Sequence, residues 1–356
     1  MRQLALQLGS LVRRGLSRAV SGDAQGLRLL AAAGLLGVAA FFRPSLPMER
    51  LLFSHVVVLD VTQSMNVADQ QINGQPVSRL VFAKAALRQA LLELPCGSKV
   101  GWGLFTEYRS YLLFAPVEVC ANLGELRSTL DRIDTRMAWT GNSEVAKGVF
   151  SGIAMAKQLP GTPSFVFITD GQEAPPLNPR HRPVFNDKPG EVAGLLVGVG
   201  ELKPSPIPKT DPNGRPLGFW GADEVAQTDP YSRGRGGSVG GEKMAEDTSA
   251  PAQALPGATP GSEHLSSLRE AYLRLLASDT GLGFHRLLSA PAFAAVLQAP
   301  GLARPVPAQL DLRAACAGLA LLLLLWRPLA RVARPLLRSR SAVRGRPQVL
   351  PRTSNS

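Results

Sequence analysis

The run His55-Val56-Val57-Val58-Leu59 ends in Asp60, and that junction constrains the fold more than any other feature of the chain. Consecutive β-branched residues read as a strand buried on both faces. Such a strand belongs inside a mostly parallel sheet with helices over each side. Asp60, Thr62 and Ser64 then follow at alternate positions on the loop that leaves the strand. Three oxygen side chains so spaced can point into one small space, and hard divalent cations prefer carboxylate and hydroxyl oxygens. A second apolar run, Ser164-Phe-Val-Phe-Ile-Thr169, ends in Asp170-Gly171. Two parallel strands ending in Asp converge at the carboxyl edge of an open α/β sheet, where ligands bind. Either aspartate alone reads as a helix cap or a turn residue. Capping does not readily explain both, together with the paired hydroxyls and a hydroxyl-rich loop, Trp139-Thr-Gly-Asn-Ser143, between them.

Residues 53–200 alternate strand and helix patterns. A strand over 54–60 precedes a helix from about Arg79 to Leu94, with Leu80, Ala83, Leu87, Ala90 and Leu91 on one face and Ser78 as its cap. A hairpin turning near Tyr108, helices at about 123–133 and 143–158, and strands at 163–169 and 192–199 follow. This order predicts a three-layer α/β/α sandwich with one antiparallel edge strand. Residues 201–262 are punctuated by Pro and Gly, and 229–262 read as disordered or a mobile loop. Pro216-Leu-Gly-Phe-Trp220 carries anchors for folding part of this segment over the sheet. Residues 263–299 read as C-terminal helices packing on the domain, at about 264–278 and 291–298, and 300–311 as a stiff Pro-rich linker.

The formal charge of +12 first suggests nucleic acid, but its distribution argues otherwise. Residues 1–28 hold five Arg and one Asp, and residues 327–356 hold eight Arg and no acid. The tails therefore carry the whole excess, and the chain between them is net neutral; local basic patches stay open, but no nucleic-acid partner is expected. Each basic tail adjoins an apolar run, Leu29 to Phe42 and Ala314 to Trp326. Both runs are shorter than the ~20 residues of an ordinary spanning helix. Flanking Arg side chains that snorkel extend their reach. The alternatives are a signal peptide at the start and a core helix at the end. The favoured reading has a basic tail at 1–28, an anchor or uncleaved signal at 29–43, a transmembrane helix at 312–328 and a basic tail at 329–356. The positive-inside rule then puts both tails in the cytoplasm and the domain in the periplasm of a bacterial inner membrane.

Cys96 precedes the first strand of the predicted hairpin and Cys120 follows the second. In register they face one another and form a disulfide suited to an oxidising compartment. With a bulge or one-residue slip they are two free thiols. Cys316 lies in the second apolar run, and no Cys/His cluster suggests zinc.

Asp60-x-Thr62-x-Ser64 with the later Thr169-Asp170-Gly171 resembles the metal-ion-dependent adhesion site of von Willebrand factor A (vWA) domains. The likeness covers residues 50–200 well and 260–298 loosely, and implies a Rossmann-like vWA fold. Where the family has Ser, this chain has Thr62, which keeps the hydroxyl. Counting back from the helix after the loop, Ser143 fits the third hydroxyl ligand, with Thr140 as its rival. The resemblance implies Asp60 as anionic anchor, Thr62 and Ser64 as direct ligands, and Asp170 as a residue orienting a bound water. Asp69 reads as a helix-entry or solvated residue in preference to a loop support. The implied ion is Mg²⁺, with Ca²⁺ or Mn²⁺ as alternatives, and it bridges the domain to an Asp or Glu of a client protein.

Asp60-Val-Thr-Gln-Ser-Met-Asn66, Glu93-Leu-Pro-Cys-Gly-Ser98 and Phe114-Ala-Pro-Val-Glu-Val-Cys120 are further similar to MxaL-type proteins of bacterial methanol-oxidation clusters. That likeness implies a role in assembly or Ca²⁺ loading of periplasmic methanol dehydrogenase. Partnership with a MoxR-type ATPase or other vWA proteins in envelope stress tolerance is the alternative. Either reading makes the chain an interaction protein rather than an enzyme. Glu173, just after Asp170, is the nearest candidate base for a metallohydrolase, and it reads more simply as a solvated loop carboxylate.

Overall fold

A computed structural model describes residues 24–42, 44–177, 182–211, 213–225, 243–244 and 262–326. The chain divides into two compact units, one spanning 51–306 and the other combining 1–50 with 307–356.

Most of a seven-stranded sheet lies in the first unit, and its central strand is the valine run. β1 (Ser45–Asp60), β2 (Lys99–Thr106), β3 (Arg109–Glu118), β4 (Ser164–Thr169), β5 (Gly194–Gly198), β6 (Gly283–Arg286) and β7 (Ala303–Asp311) form it. The order is β6-β5-β4-β1-β2-β3, and β7 pairs with β1 off this path. β1 is parallel to β2, with Asp60 opposite Phe105, and parallel to β4, with Leu59 opposite Ile168. β5 and β6 continue the parallel run, and β3 is antiparallel to β2 at the far edge.

The alternation of side chains along β1 explains why helices cover both faces. Val57 and Leu59 point into one core with Leu80, Leu87, Trp102, Leu126 and Phe293. Val56 and Val58 point into the other with Phe105, Phe150, Phe165 and Leu273. The helices are α2 (Arg79–Glu93), α3 (Leu123–Arg132) and α6 (Ala290–Leu297) over the first core, and α4 (Val145–Gln158) and α5 (Glu270–Thr280) over the second. α1 (Ala24–Phe41) belongs to the other unit. The five expected positions on α2 are buried, and Ser78 accepts a hydrogen bond from Val81 N as its cap. Two glycines let α4 approach the sheet. A Cβ on Gly148 would sit 2.2 Å from the Phe105 ring, and one on Gly152 would sit 2.3 Å from that of Phe165.

The β2–β3 hairpin turns at Glu107, whose φ is 61°. Cys96 and Cys120 close it as a disulfide, with a Cα–Cα distance of 5.3 Å. The strand register does shift between Val100 and Gly103, yet the cysteines beyond it still meet.

Several sequence expectations need correction. β1 starts at Ser45 rather than 54, and its pairing with β2 and β4 begins only at Ser54 and His55. The predicted linker 300–311 is instead largely β7. Its prolines, Pro305 and Pro307, lack an N–H, which is tolerated at a sheet edge. β6 was not expected, because Gly-Phe-His-Arg lacks the apolar run that marked β4 and β5. The predicted helix at 264–278 begins only at Glu270, because Leu265–Ser266 is held extended against Ser205–Pro206. Part of the Pro/Gly-rich segment is ordered, as a hairpin of Pro208–Thr210 with Pro216–Phe219. Lys243–Met244 also pairs with Pro183–Val184. The expectation of disorder otherwise falls on residues outside the described ones.

In the second unit, α1 (Ala24–Phe41) and a helix over 313–326 both leave one junction, where Leu312 N donates to Pro44 O (2.9 Å). Large apolar side chains of both helices face outward, including Leu35 (71 % exposed), Phe41 (87 %) and Trp326 (66 %). Two transmembrane helices were expected. Among the described residues, however, no helix is long and apolar enough to cross a membrane. α1 carries Gln25 and Arg28 in its first turns, so its uninterrupted apolar part is 29–41, roughly 20 Å at the usual rise. The basic tails 1–23 and 327–356 lie outside the described residues.

Candidate cation-binding site

The carboxyl edges of β1 and β4 bring the predicted oxygen ligands to one place. Asp60 is fully buried at the end of β1. Its Oδ1 accepts hydrogen bonds from Thr62 N (2.9 Å) and Thr62 Oγ1 (2.6 Å). Its Oδ2 accepts one from Thr169 Oγ1 (2.7 Å), across from the end of β4. The chain then turns through a 3₁₀ segment, Gln63–Asn66, which sets Ser64 Oγ 3.4 Å from Thr62 Oγ1. Burial pushes the Asp60 pKa up to about 7. The negative charge of Asp170 adds to this, while the hydrogen bonds from Thr62 and Thr169 pull it down.

Ser143 arrives from the loop before α4. That loop is pinned on two sides, by Ser143 N to Ala174 O (2.6 Å) and by Glu144 N to Glu107 O (2.6 Å). Thr62, Ser64 and Ser143 line one cavity of about 270 Å³. The Ser143 hydroxyl is buried and has no hydrogen-bond partner among the described residues. An unsatisfied buried hydroxyl carries a desolvation cost unless something occupies the space it faces. Thr140 does not line the cavity. Its Oγ1 instead accepts from Asn142 N (2.9 Å), a local turn contact. Of the two rivals, Ser143 is the one brought together with Thr62 and Ser64.

Asp170 is held in an ion pair within the protein. It is buried and outside the cavity lining. Its Oδ2 accepts from Arg79 Nη1 (2.6 Å) and Ser266 Oγ (2.9 Å), and its Oδ1 from Gln172 N (2.9 Å). Arg79 is fully buried as well, and its Nε and Nη2 donate to Asp69 Oδ2 at 3.0 and 2.6 Å. Gly200 leaves room for this guanidinium. Its φ is 126°, and a Cβ there would sit 2.7 Å from Arg79 Nε. Burial alone would raise the Asp69 pKa, but the hydrogen bonds and charge of Arg79 hold it below the usual carboxylate range. Asp69 therefore does support the loop. Sequence reasoning missed Arg79, although one signal was available. An arginine in the first turn of a helix opposes the macrodipole and needs acidic partners.

Glu173 lines the cavity but is not a solvated loop carboxylate. It is buried, and its two oxygens accept from Val145 N and Ala146 N (2.9 Å each) at the start of α4, with Tyr272 Oη donating as well (2.5 Å). Burial pushes its pKa up to about 8, against these hydrogen bonds. Committed to a helix terminus, it is poorly placed to serve as a base.

Three carboxylates and one guanidinium meet at the sheet edge, an excess of acid in a low-dielectric setting that favours a cation. Among the described residues no group of three or more His, Cys, Asp or Glu could hold a metal. Any cation here would rest on the hydroxyls of Thr62, Ser64 and Ser143, backed by Asp60. Hard ions such as Mg²⁺, Mn²⁺ or Ca²⁺ fit that oxygen set.

Ile207, Trp220 and Val225 also line the cavity. Trp220 Nε1 donates to Gln63 Oε1, which ties this segment to the turn that carries Ser64.

No family profile matches the sequence, and no curated protein matches it significantly. Among solved structures, an aerotolerance-related membrane protein from Bacteroides fragilis NCTC 9343, carrying multiple mutations to serine, is 15% identical. The match covers 69% of this chain and 96% of that one, with a TM-score of 0.41. The ArnB paralog VWA2 from Sulfolobus acidocaldarius is 12% identical over 72% of this chain and 47% of its own, with a TM-score of 0.34. A von Willebrand factor type A protein from Catenulispora acidiphila is 12% identical over 69% and 41%, with a TM-score of 0.34.

Proposed function

We propose that this chain is a membrane-anchored adaptor of vWA type whose cation site grips an acidic residue of a client protein. The observation that carries the proposal is the buried, unpartnered hydroxyl of Ser143 on the same cavity as Thr62 and Ser64, beside Asp60. Asp60 supplies the anionic anchor and orients the Thr62 hydroxyl. Arg79 neutralises Asp170 and ties the Ser64 turn, the end of β4 and Ser266 into one rigid frame. A bound divalent ion supplies a positive charge that hydroxyl ligands leave largely unquenched, open to a carboxylate from outside. Ile207, Trp220 and Val225 keep that approach apolar, which strengthens charge pairing.

The Cys96–Cys120 disulfide supports a periplasmic setting, because such bonds persist in oxidising compartments. The outward apolar faces of α1 and the 313–326 helix support membrane attachment. The MxaL-like motifs favour methanol dehydrogenase as client, with assistance in its assembly or Ca²⁺ loading. A MoxR-type ATPase partnership in stress tolerance is the competing assignment.

The test is binding of the full-length chain, in detergent with Mg²⁺ or with chelator, to calcium-free methanol dehydrogenase and to a MoxR-type ATPase. Mg²⁺-dependent capture of the dehydrogenase, lost with Asp60→Asn, is expected. Capture of the ATPase instead would move the assignment to the second partner. Binding that ignores both Mg²⁺ and Asp60→Asn would reject the adaptor mechanism.

A further inference from the structure

A carboxylate of this chain lies on the same cavity as the hydroxyls of the candidate cation site. Glu263 lines the same cavity as Thr62, Ser64 and Ser143, although it is 91 residues beyond Gln172, a side chain that donates to it.

Its position is fixed by the backbone that follows. Leu265–Ser266 pairs with Ser205–Pro206, Leu268 N donates to Glu201 O (2.8 Å), and Arg269 N donates to Asp170 O (2.8 Å). Ser266 adds its hydroxyl and carbonyl to the Arg79–Asp170 pair, so this stretch is bolted to the ends of β4 and β5. Gln172 then sets the side chain. Its Oε1 accepts from Arg269 Nε (3.0 Å) and its Nε2 donates to Glu263 Oε2 (2.9 Å). Arginine can only donate, so the amide of Gln172 has one orientation, with its NH₂ toward Glu263. Gln172 is buried.

The two other acids on the cavity are engaged elsewhere. Glu173 spends both oxygens on the α4 terminus. Glu224 pairs with Lys209 at the exposed rim and accepts from Gly221 N. Glu263 accepts from Gln172, itself part of the cavity wall, and also feels the charge of Arg269. Burial raises its pKa, against the charge of Arg269 and the hydrogen bond from Gln172.

We propose that Glu263 is an internal ligand of the cation site, occupying the coordination position of a client's carboxylate until a client displaces it. The inference rests on the cation-site reading above and adds that the resting site is self-occupied. It predicts that the ion binds well without a client, and that a client's acid must compete with Glu263.

The experiment is Mn²⁺ titration of the full-length chain in detergent, read by the electron paramagnetic resonance of free Mn²⁺, for the parent, Glu263→Gln and Asp60→Asn. Each is measured with and without 100 mM acetate, a small carboxylate that the cavity can admit. The parent is expected to bind Mn²⁺ with little response to acetate. Glu263→Gln is expected to bind at least tenfold more weakly and to recover most of the loss in acetate. Asp60→Asn should lose binding in both conditions. Equal affinities for parent and Glu263→Gln would overturn the internal-ligand role while leaving the cation site intact, as would an equal acetate response in both. No binding by the parent would overturn the cation-site reading and this inference together. Should the amide variant misfold, Glu263→Asp keeps the charge with a shorter reach. It should show a smaller loss and a partial acetate response, and parent-like behaviour would count against the role.

Discussion

Asp60 and Asp170 are the same residue type at equivalent places, each buried at the carboxyl end of a central parallel strand, yet their surroundings assign them opposite tasks. Asp60 meets only neutral donors, two hydroxyls and an amide, and its charge has no buried counter-ion in contact. Asp170 is paired with the Arg79 guanidinium at 2.6 Å. The first is a carboxylate still open to a cation, and the second has already found one within the protein. A motif records the residue types but not which of the two carboxylates is compensated.

The comparison breaks most visibly at Arg79. Arg79→Met leaves Asp170 and Asp69 buried without their counter-charge, and urea unfolding should show a loss of about 3–5 kcal/mol. A loss under about 1 kcal/mol would mean the pair does not hold the two loops together.

Asp60→Asn should act in the other direction when chelator is present. Asn keeps an acceptor for Thr62, and its NH₂ can donate to Thr169 Oγ1, so only the Thr169 hydroxyl proton loses its acceptor. The folded pKa of Asp60 is raised, so its protonated form stabilises the fold fully below the unfolded value and that stability is lost as pH rises through about 7. The stability gained by Asp60→Asn should therefore grow from pH 5 to pH 8, reaching on the order of a few kcal/mol. A difference between the two proteins that does not vary with pH would contradict the uncompensated state of Asp60.

Ser266→Ala removes one hydrogen bond from each partner of the Arg79–Asp170 pair. It should cost about 1–2 kcal/mol by thermal or chemical unfolding. The smallest effect belongs to Ser143. Ser143→Ala removes a hydroxyl that satisfies no described partner, so stability should stay within about 0.5 kcal/mol of the parent or rise slightly. A clear destabilisation would show that Ser143 is structural.

Much of this arrangement was legible in the sequence where local pattern and tertiary role coincide. Val56, Val57 and Val58 announced a strand buried on both faces, and Asp60, Thr62 and Ser64 announced an oxygen-lined loop. Ser78 marked the start of α2, and the spacing of Cys96 and Cys120 admitted the disulfide that forms. The unread parts depend on pairing. β6 and β7 are strands because neighbouring edges accept them, and nothing in Gly283–Arg286 or in the Pro-containing 303–311 stretch signals that alone. Arg79 meets Asp170 across 91 positions, and Glu263 meets Gln172 across another 91. The choice between Ser143 and Thr140 turned on which hydroxyl a loop pinned at Glu107 and Ala174 turns toward the cavity. The apolar run after residue 28 matched a membrane anchor by composition, but the helix that forms includes Arg28 and Gln25.

The most direct measurement is calorimetric titration of Mg²⁺ into the full-length chain in detergent, beside Asp60→Asn, Ser143→Ala and Thr140→Ala. The cation site built on Asp60, Thr62, Ser64 and Ser143 predicts binding by the parent and by Thr140→Ala, clear weakening in Ser143→Ala, and loss in Asp60→Asn. A folded parent that binds no divalent ion, or a site that depends on Thr140 and ignores Ser143, would contradict it.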